Sequence, residues 1–516
     1  MGEQHLDGQD GAEAPEAITR AEAVFDKARR VAGVGLAPLA FAVAWFTTGS
    51  LHYEARMLSA ILAGAAVLWI TETLPLPVTA LLGAALCIVM GVADPRTVLA
   101  PFADRIVFLF IGSFILARAM AIHGLDRRLA LGFLSWRWLA AHPARLMAGL
   151  GLVTAVISMW VSNTATAAMM LPIALGLVHA TGEREPGDGR GSRYATGMML
   201  MVAFAASVGG IATPVGTPPN GIGISFIRER LGVNISFFRW VSIALPLFVV
   251  MFAALCVLLY VLHRSGRRAG SAQVTQYLHD RRAALGPWTR GQINTLIAFG
   301  VAFALWLAPG VYAAVCPGDA ATHKLLENRL HESVVALVAA LLLFVLPTDL
   351  RKGEMTLTWN QAVRIDWGTI LLFGGGLTLG NLMEKTGVAA ALGQAVQGGG
   401  EGSLWGLTGL SIAMAIFLSE TTSNTAAATM VMPVVISMAR QSGVDPLPPA
   451  LGACLGASFG FMLPVSTPPN AIVYGSGLVP IPRMVRAGVL FDIIGFFIIW
   501  GGLAVLCPLL GLSAAK

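Results

Sequence analysis

Charge is what this chain has least of. Only 12 % of its 516 residues are Asp, Glu, Lys or Arg, while 56 % are hydrophobic, and the mean hydropathy is +0.73. Soluble domains carry about 25 % charged residues, so an ordinary water-facing surface is excluded and a polytopic membrane protein remains. Cysteine is sparse too. Cys87, Cys256, Cys316, Cys454 and Cys507 stand singly, mostly in apolar stretches and without metal-type spacing, so they read as packing residues rather than disulfides or ligands. Aromatic residues make up 8 % and are scattered, which excludes a cage for a cationic substrate. His-Glu-x-x-His, paired aspartates and a Gly-x-Ser with a placed histidine are all missing from the apolar stretches, which excludes an intramembrane hydrolase. The start of the chain lacks the short basic-then-apolar form of a cleavable signal and reads as a retained polar tail, helical from Pro15 onward.

What is present is a series of apolar runs long enough to cross a bilayer. They fall near 31–49, 55–73, 76–93, 106–124, 195–212, 238–262, 292–310, 330–348, 367–385, 448–463 and 487–511, eleven crossings in all. The net charge of +6 is spread over loops, so it sets topology rather than forming a nucleic-acid surface. With the N-terminus inside and two further segments treated as hairpins that enter and return, most of the 34 Lys and Arg residues fall on the inner side. The weak point of that arrangement is 221–239, placed outside yet carrying Arg228, Arg230 and Arg239.

The chain repeats itself. The stretch 104–124 (DRIVFLFIGSFILARAMAIHG) resembles 366–387 (DWGTILLFGGGLTLGNLMEKTG), each with an acid at its entry and a glycine-bearing Leu/Phe run. Ser162-Asn163-Thr164 and Ser423-Asn424-Thr425 keep that register to within one residue, and it slips only at Asn220 and Asn470, after the polar insert 181–194. Five crossings separate equivalent helices. An odd number makes the two halves run in opposite senses, the inverted-repeat plan of secondary transporters, whose sites lie near the midplane.

Both tripeptides sit between apolar runs too short to cross separately, and Pro172 and Pro433 each follow the tripeptide serine by the same interval, as in a hairpin within the membrane. Ser, Asn and Thr are good N-cap residues that leave oxygens and backbone N–H groups at the start of a returning half-helix. Such a start carries about half a positive elementary charge. Two of them facing each other suit a divalent anion, and the oxygens of the same bends suit Na⁺. One Ser-Asn-Thr alone would merely cap a kinked helix; two at matched positions argue for a shared site. The second motif, Thr213-Pro214-Val215-Gly216-Thr217-Pro218-Pro219-Asn220, recurs as Leu463-Pro464-Val465-Ser466-Thr467-Pro468-Pro469-Asn470. Its prolines block helix and free carbonyls. In hydrocarbon such carbonyls need protein, water or a ligand.

With these motifs and Thr71-Glu72-Thr73-Leu74-Pro75-Leu76-Pro77-Val78-Thr79-Ala80-Leu81, the chain resembles the divalent anion:sodium symporter family, transporters of dicarboxylates, citrate and sulfate, over about Leu51 to Leu510. The resemblance implies an all-α polytopic membrane protein of about eleven transmembrane helices plus two re-entrant hairpins. It further implies inverted repeats, a homodimer of plasma (inner) membrane protomers, and a transport domain that moves as an elevator. Carried over by position, one Na⁺ would bind at Ser158, Ser162, Asn163 and backbone near Gly216, and another at Ser419, Ser423, Asn424 and backbone near Ser466. Substrate would meet Ser162, Asn163, Thr164, Thr217, Ser423, Asn424, Thr425, Thr467 and Pro468. Ser419 stands where threonine is common in the family, and Ser466 where a smaller residue is usual; both keep or add a hydroxyl.

The expected organisation is a cytoplasmic tail over 1–30, a first helix and first repeat over 31–264, a basic cytoplasmic connection over 265–290, and a second repeat over 291–516. No Lys, Arg or His occurs in 146–178 or 402–439, which favours a sodium-coupled symporter over relatives that replace the cations with basic side chains. A dicarboxylate such as succinate is the expected substrate, with sulfate, citrate, sodium-independent exchange and a passive anion channel as alternatives. A cation/proton antiporter would want buried acids at broken helices, where this chain has hydroxyls and amides. Glu72 and Glu420 are expected as structural hydrogen-bond partners more than proton carriers, and Arg118 with Glu384 as an intramembrane pair or as groups reaching the surface.

Overall fold

The computed structural model describes residues 20–182, 193–264, 271–397 and 403–512. Over these it is almost wholly helical, with one short antiparallel pair, Pro347–Asp349 against Glu354–Met355. Residues 1–19 of the expected tail and 183–192 of the polar insert lie outside the described residues. The first helix, Arg20–Thr47, starts within the stretch read as tail, and Ser271–Ala283 makes a helix of the basic connection.

Among the described residues, nine helices are long and apolar enough to cross a membrane, or ten if the bent pair Ala320–Arg329 and Glu332–Val345 counts as one span. The difference from eleven has a local cause at each place. The expected crossing 76–93 is a helix of 14 residues, Leu76–Val89, whose start is set by Pro75 and Pro77. Trp367–Lys385 is long enough, but Gly374, Gly375, Gly376, Asn381 and Glu384 lower its hydropathy below that of the nine. In 448–463 the helix Leu447–Gly456 stops after 10 residues, because the proline-rich break begins there.

The hairpins also correct the sequence reading. Their arms are Pro143–Ser158 with Asn163–Ala180, and Leu404–Thr421 with Asn424–Gln441. Asn163–Ala180 and Leu404–Thr421, at 18 residues each, are long and apolar enough to cross on their own, so these arms are not too short. Pro172 and Pro433 lie inside the returning arms.

Burial shows which helices form the centre. Arg193–Ile211, which leads into the first break, is 100 % buried across its apolar window, whereas Arg290–Val315 and Lys27–Thr47 are 17 % and 11 % buried. The latter two leave apolar faces uncovered by the rest of the chain; the former is packed by protein on all sides. Two of the three arginines that spoiled the charge count, Arg228 and Arg230, are held by neighbours. Arg228 pairs with Asp104 at 2.6 Å, and Arg230 pairs with Glu384, which Arg440 also reaches at 3.0 Å. An arginine held in an ion pair is a poor topology signal. Glu384 therefore pairs with Arg230 and Arg440 rather than with Arg118. Glu72 pairs with Arg29 at 3.0 Å, and the five cysteines are free thiols.

Candidate functional site

The tips fold as the residue types dictate. Ser162 caps the returning arm Asn163–Ala180 by accepting from the Ala165 N–H at 3.3 Å, and Ser423 caps Asn424–Gln441 by accepting from Ala426 at 3.2 Å. Each tip is tied to its entering arm by the same bond: Ser158 Oγ donates to Asn163 Oδ1 at 2.7 Å, and Ser419 Oγ donates to Asn424 Oδ1 at 2.8 Å.

The breaks satisfy their own backbone in a matched way. A helix would bond the N–H of residue i to the carbonyl of i−4, and proline has no N–H to give. Pro214 thus orphans the carbonyl of Gly210, and Pro464 that of Gly460. Asn220 Nδ2 donates to Gly210 O at 3.0 Å and to Thr213 O at 2.7 Å; Asn470 Nδ2 donates to Gly460 O and to Leu463 O, both at 3.0 Å. One amide therefore closes each break, ten residues downstream of the glycine. These bonds orient the amide, so its oxygen points the other way. Asn220 Oδ1 and Asn470 Oδ1 are both buried without a hydrogen-bond partner.

Tip and break meet at that glycine. A Cβ on Gly210 would stand 2.5 Å from Asn163 Oδ1, and one on Gly460 would stand 3.2 Å from Asn424 Oδ1. Hydroxyls link the same parts: Thr213 Oγ1 donates to Met159 O at 2.5 Å in the first half, and Ser466 Oγ donates to Glu420 O at 3.1 Å in the second. Ser158, Asn163 and Gly210 thus form one contiguous oxygen-rich cluster. Gly216 belongs to it because a Cβ there would meet Gly210 O at 2.5 Å. Ser419, Asn424, Gly460 and Ser466 form its counterpart, in which Ser419 also donates to Ala457 O at 2.9 Å. Ser466 is tolerated where the first half has glycine because its side chain turns to Glu420.

The residues expected at the substrate are less uniform. Thr217 and Thr467 are 2 % and 4 % exposed and open the helices Pro218–Leu231 and Pro468–Tyr474 without a side-chain capping bond. Thr467 Oγ1 has no partner. Thr164 and Pro468 are exposed, whereas Thr425 is buried. The returning arm of each hairpin packs against the break helix of the other half, Asn163–Ala180 on Pro468–Tyr474 and Asn424–Gln441 on Pro218–Leu231. Cys454 Sγ also reaches Pro219 O at 3.3 Å. Each hairpin is thus packed against the other half, though no hydrogen bond joins tip to tip among the described residues.

Sequence reasoning missed Gly210 and Gly460 as parts of the site, and named Thr213, Asn220 and Asn470 as members of the break motif without assigning them a role. The signal for the amides was there: an asparagine at the same interval after an orphaned glycine carbonyl in both halves.

The oxygens gathered at the two clusters are hydroxyls, tip amide oxygens and backbone carbonyls, with the Glu420 carboxylate beside Ser466 in the second. That set fits a hard cation such as Na⁺. A model of the sodium:sulfate symporter transmembrane region matches residues 36–511. The chain belongs to the divalent anion:sodium symporter family. A sodium-dependent dicarboxylate transporter, SdcS of Staphylococcus saprophyticus, is 30 % identical, over 91 % of this chain and 90 % of its own length. A sodium-dependent high-affinity dicarboxylate transporter of Caenorhabditis elegans is 32 % identical over 82 % of this chain and 78 % of its own. An uncharacterized transporter of Haemophilus influenzae is 35 % identical, covering 84 % and 88 %. In fold, this symporter is similar to the YdaH transporter of Alcanivorax borkumensis, with a TM-score of 0.55 at 13 % identity, covering 82 % of this chain and 89 % of that one. It is a multi-pass membrane transporter and not an enzyme.

Proposed function

We propose that this symporter couples Na⁺ entry to uptake of a C4-dicarboxylate such as succinate. The observation that carries the reading is the matched cluster in each half: a serine-to-asparagine bond at the tip, lying on a break whose closing asparagine keeps its amide oxygen without a partner. In this reading one Na⁺ sits in each cluster, on Ser158, Ser162, Asn163 and Gly216, and on Ser419, Ser423, Asn424 and Ser466. The anion lies between the tips, against Ser162, Asn163, Thr164, Thr217, Ser423, Asn424, Thr425, Thr467 and Pro468. A divalent anion with no fixed cation nearby is poorly held in a low-dielectric site. Bound Na⁺ supplies that charge and is itself held more tightly by the anion. The staphylococcal and nematode relatives, both dicarboxylate transporters, support dicarboxylate over sulfate or citrate.

The same reading places the N-terminus in the cytoplasm of a plasma-membrane homodimer. Its two repeats run in opposite senses, and the two clusters move together as an elevator. The test is uptake of labelled succinate by proteoliposomes under an inward Na⁺ gradient. Uptake should saturate, depend on Na⁺ and carry charge, and it should vanish in both Asn163→Ala and Asn424→Ala while the purified protein stays monodisperse. Full uptake in both variants would remove the site assignment. Uptake that ignores Na⁺ would point to exchange, and uptake that does not saturate would point to a channel.

A further inference from the structure

The final helix, Ile481–Leu509, carries Asp492 at 7 % exposure, and neither of its carboxylate oxygens has a hydrogen-bond donor. Gly488 and Gly495, four residues before it and three after, lie on the same helix face. Both are pressed into the second break. A Cβ on Gly488 would meet Met462 Cα at 2.6 Å, and one on Gly495 would meet the Phe459 ring, with Cζ at 2.6 Å. Asp492 therefore faces the break on the side of Phe461 and Met462, the two residues whose N–H groups bind the Glu420 carboxyl.

Glu420 is 3 % exposed and accepts from three donors of the second break. Its Oε1 accepts from Phe461 N at 2.5 Å and Met462 N at 2.9 Å, and its Oε2 accepts from Ser466 Oγ at 2.6 Å. Among the described residues, neither carboxyl forms an ion pair with a Lys, Arg or His. The surrounding wall is phenylalanine: Phe461 and Phe491 lie 4.9 Å apart edge to face, Phe204 lies 4.9 Å from Phe461, and Phe459 completes the cluster. Two facing carboxyls in so apolar a wall repel each other, and buried charge persists when it is paired or bound to a metal ion.

We infer that Glu420 and Asp492, with the oxygens of the second break beside them, hold a Na⁺ ion additional to the two at the tips. This rests on the sodium-coupled reading above. The donor set is carboxylate, hydroxyl and carbonyl oxygen, the chemistry of a hard cation. The site belongs to one repeat alone, since in the register of the tripeptides Met159 stands where the second half has Glu420. Sodium use by the two halves is then unequal, and the additional ion links the last helix to the second tip through Glu420 and Ser466.

The test is saturation binding of radioactive Na⁺ to the purified full-length protein in detergent, at fixed pH and without substrate. Asp492→Asn and Glu420→Gln should each bind one Na⁺ fewer per chain than the wild type, and Asp492→Glu should recover it. Wild-type stoichiometry in Asp492→Asn would overturn the inference, and a change confined to the pH profile of transport would assign the pair to a proton instead. If Asp492→Asn is not monodisperse, Glu420→Gln carries the same reading. The tip assignment fails separately: it falls if Asn163→Ala and Asn424→Ala both keep the full wild-type Na⁺ count, whatever Asp492→Asn does.

Discussion

Asn220 and Asn470 each hold together a stretch of chain that could not otherwise exist inside a membrane. Removing the amide leaves the carbonyls of Gly210 and Thr213, or of Gly460 and Leu463, buried without donors. An unsatisfied buried group costs about 1–3 kcal/mol. Asn220→Ala and Asn470→Ala should therefore each lower the unfolding midpoint of the detergent-purified protein and lose uptake, a result that differential scanning fluorimetry with a transport assay would show. The glycines facing the tip asparagines make a sharper comparison. Gly210→Ala drives a methyl to 2.5 Å from Asn163 Oδ1, whereas Gly460→Ala meets Asn424 Oδ1 at 3.2 Å. Gly210→Ala should abolish Na⁺-dependent uptake, and Gly460→Ala should leave a measurable fraction of it. The glycines were not legible in advance, because a missing Cβ acquires meaning only when something is seen to occupy its place.

At the scale of the element, the hairpin tips combine two jobs in one serine. Ser162 caps its helix and, in the proposed reading, also offers an oxygen to the cation. The jobs separate by substitution, since losing an N-cap to alanine costs about 1 kcal/mol while glycine costs only a few tenths. Ser162→Ala should be less stable than Ser162→Gly by thermal unfolding, yet the two should lose Na⁺ affinity alike. If Ser162→Gly transports like the wild type, the serine is a cap and nothing more. The caps were legible from residue type because N-capping is a local contest between a side chain and the next three N–H groups. The lengths of the arms were misjudged, since the polar tripeptides seemed to cut the apolar runs short, whereas Asn163–Ala180 and Leu404–Thr421 each stay apolar enough over 18 residues to cross.

For the whole molecule, the coupling is a statement about linkage. If anion and Na⁺ stabilise one another, each must raise the affinity of the other by the same factor. Succinate should shift the unfolding midpoint of the purified symporter strongly in NaCl and hardly at all in choline chloride. The Na⁺ concentration giving half the effect should fall as succinate rises. A succinate shift of equal size in both salts would leave no role for sodium in binding. Ion pairs act at this scale as well. Arg230, Glu384 and Arg440 join the first break helix, Trp367–Lys385 and the second hairpin, and so fasten the halves at a place where charge counting had looked only for topology.

The sequence by itself determined the membrane class, the family and the position of both tips and both breaks. These depend on composition and on short motifs whose meaning is local: prolines that remove donors, serines that cap, apolar runs that match a bilayer. Only the tertiary structure decided which oxygen faces which. The closing of each break by an asparagine, the exclusion of side chains at Gly210 and Gly460, and the meeting of Asp492 with Glu420 all join residues from different segments. Such contacts are set by how helices pack, and no pattern along the chain encodes the direction in which a buried side chain finally points.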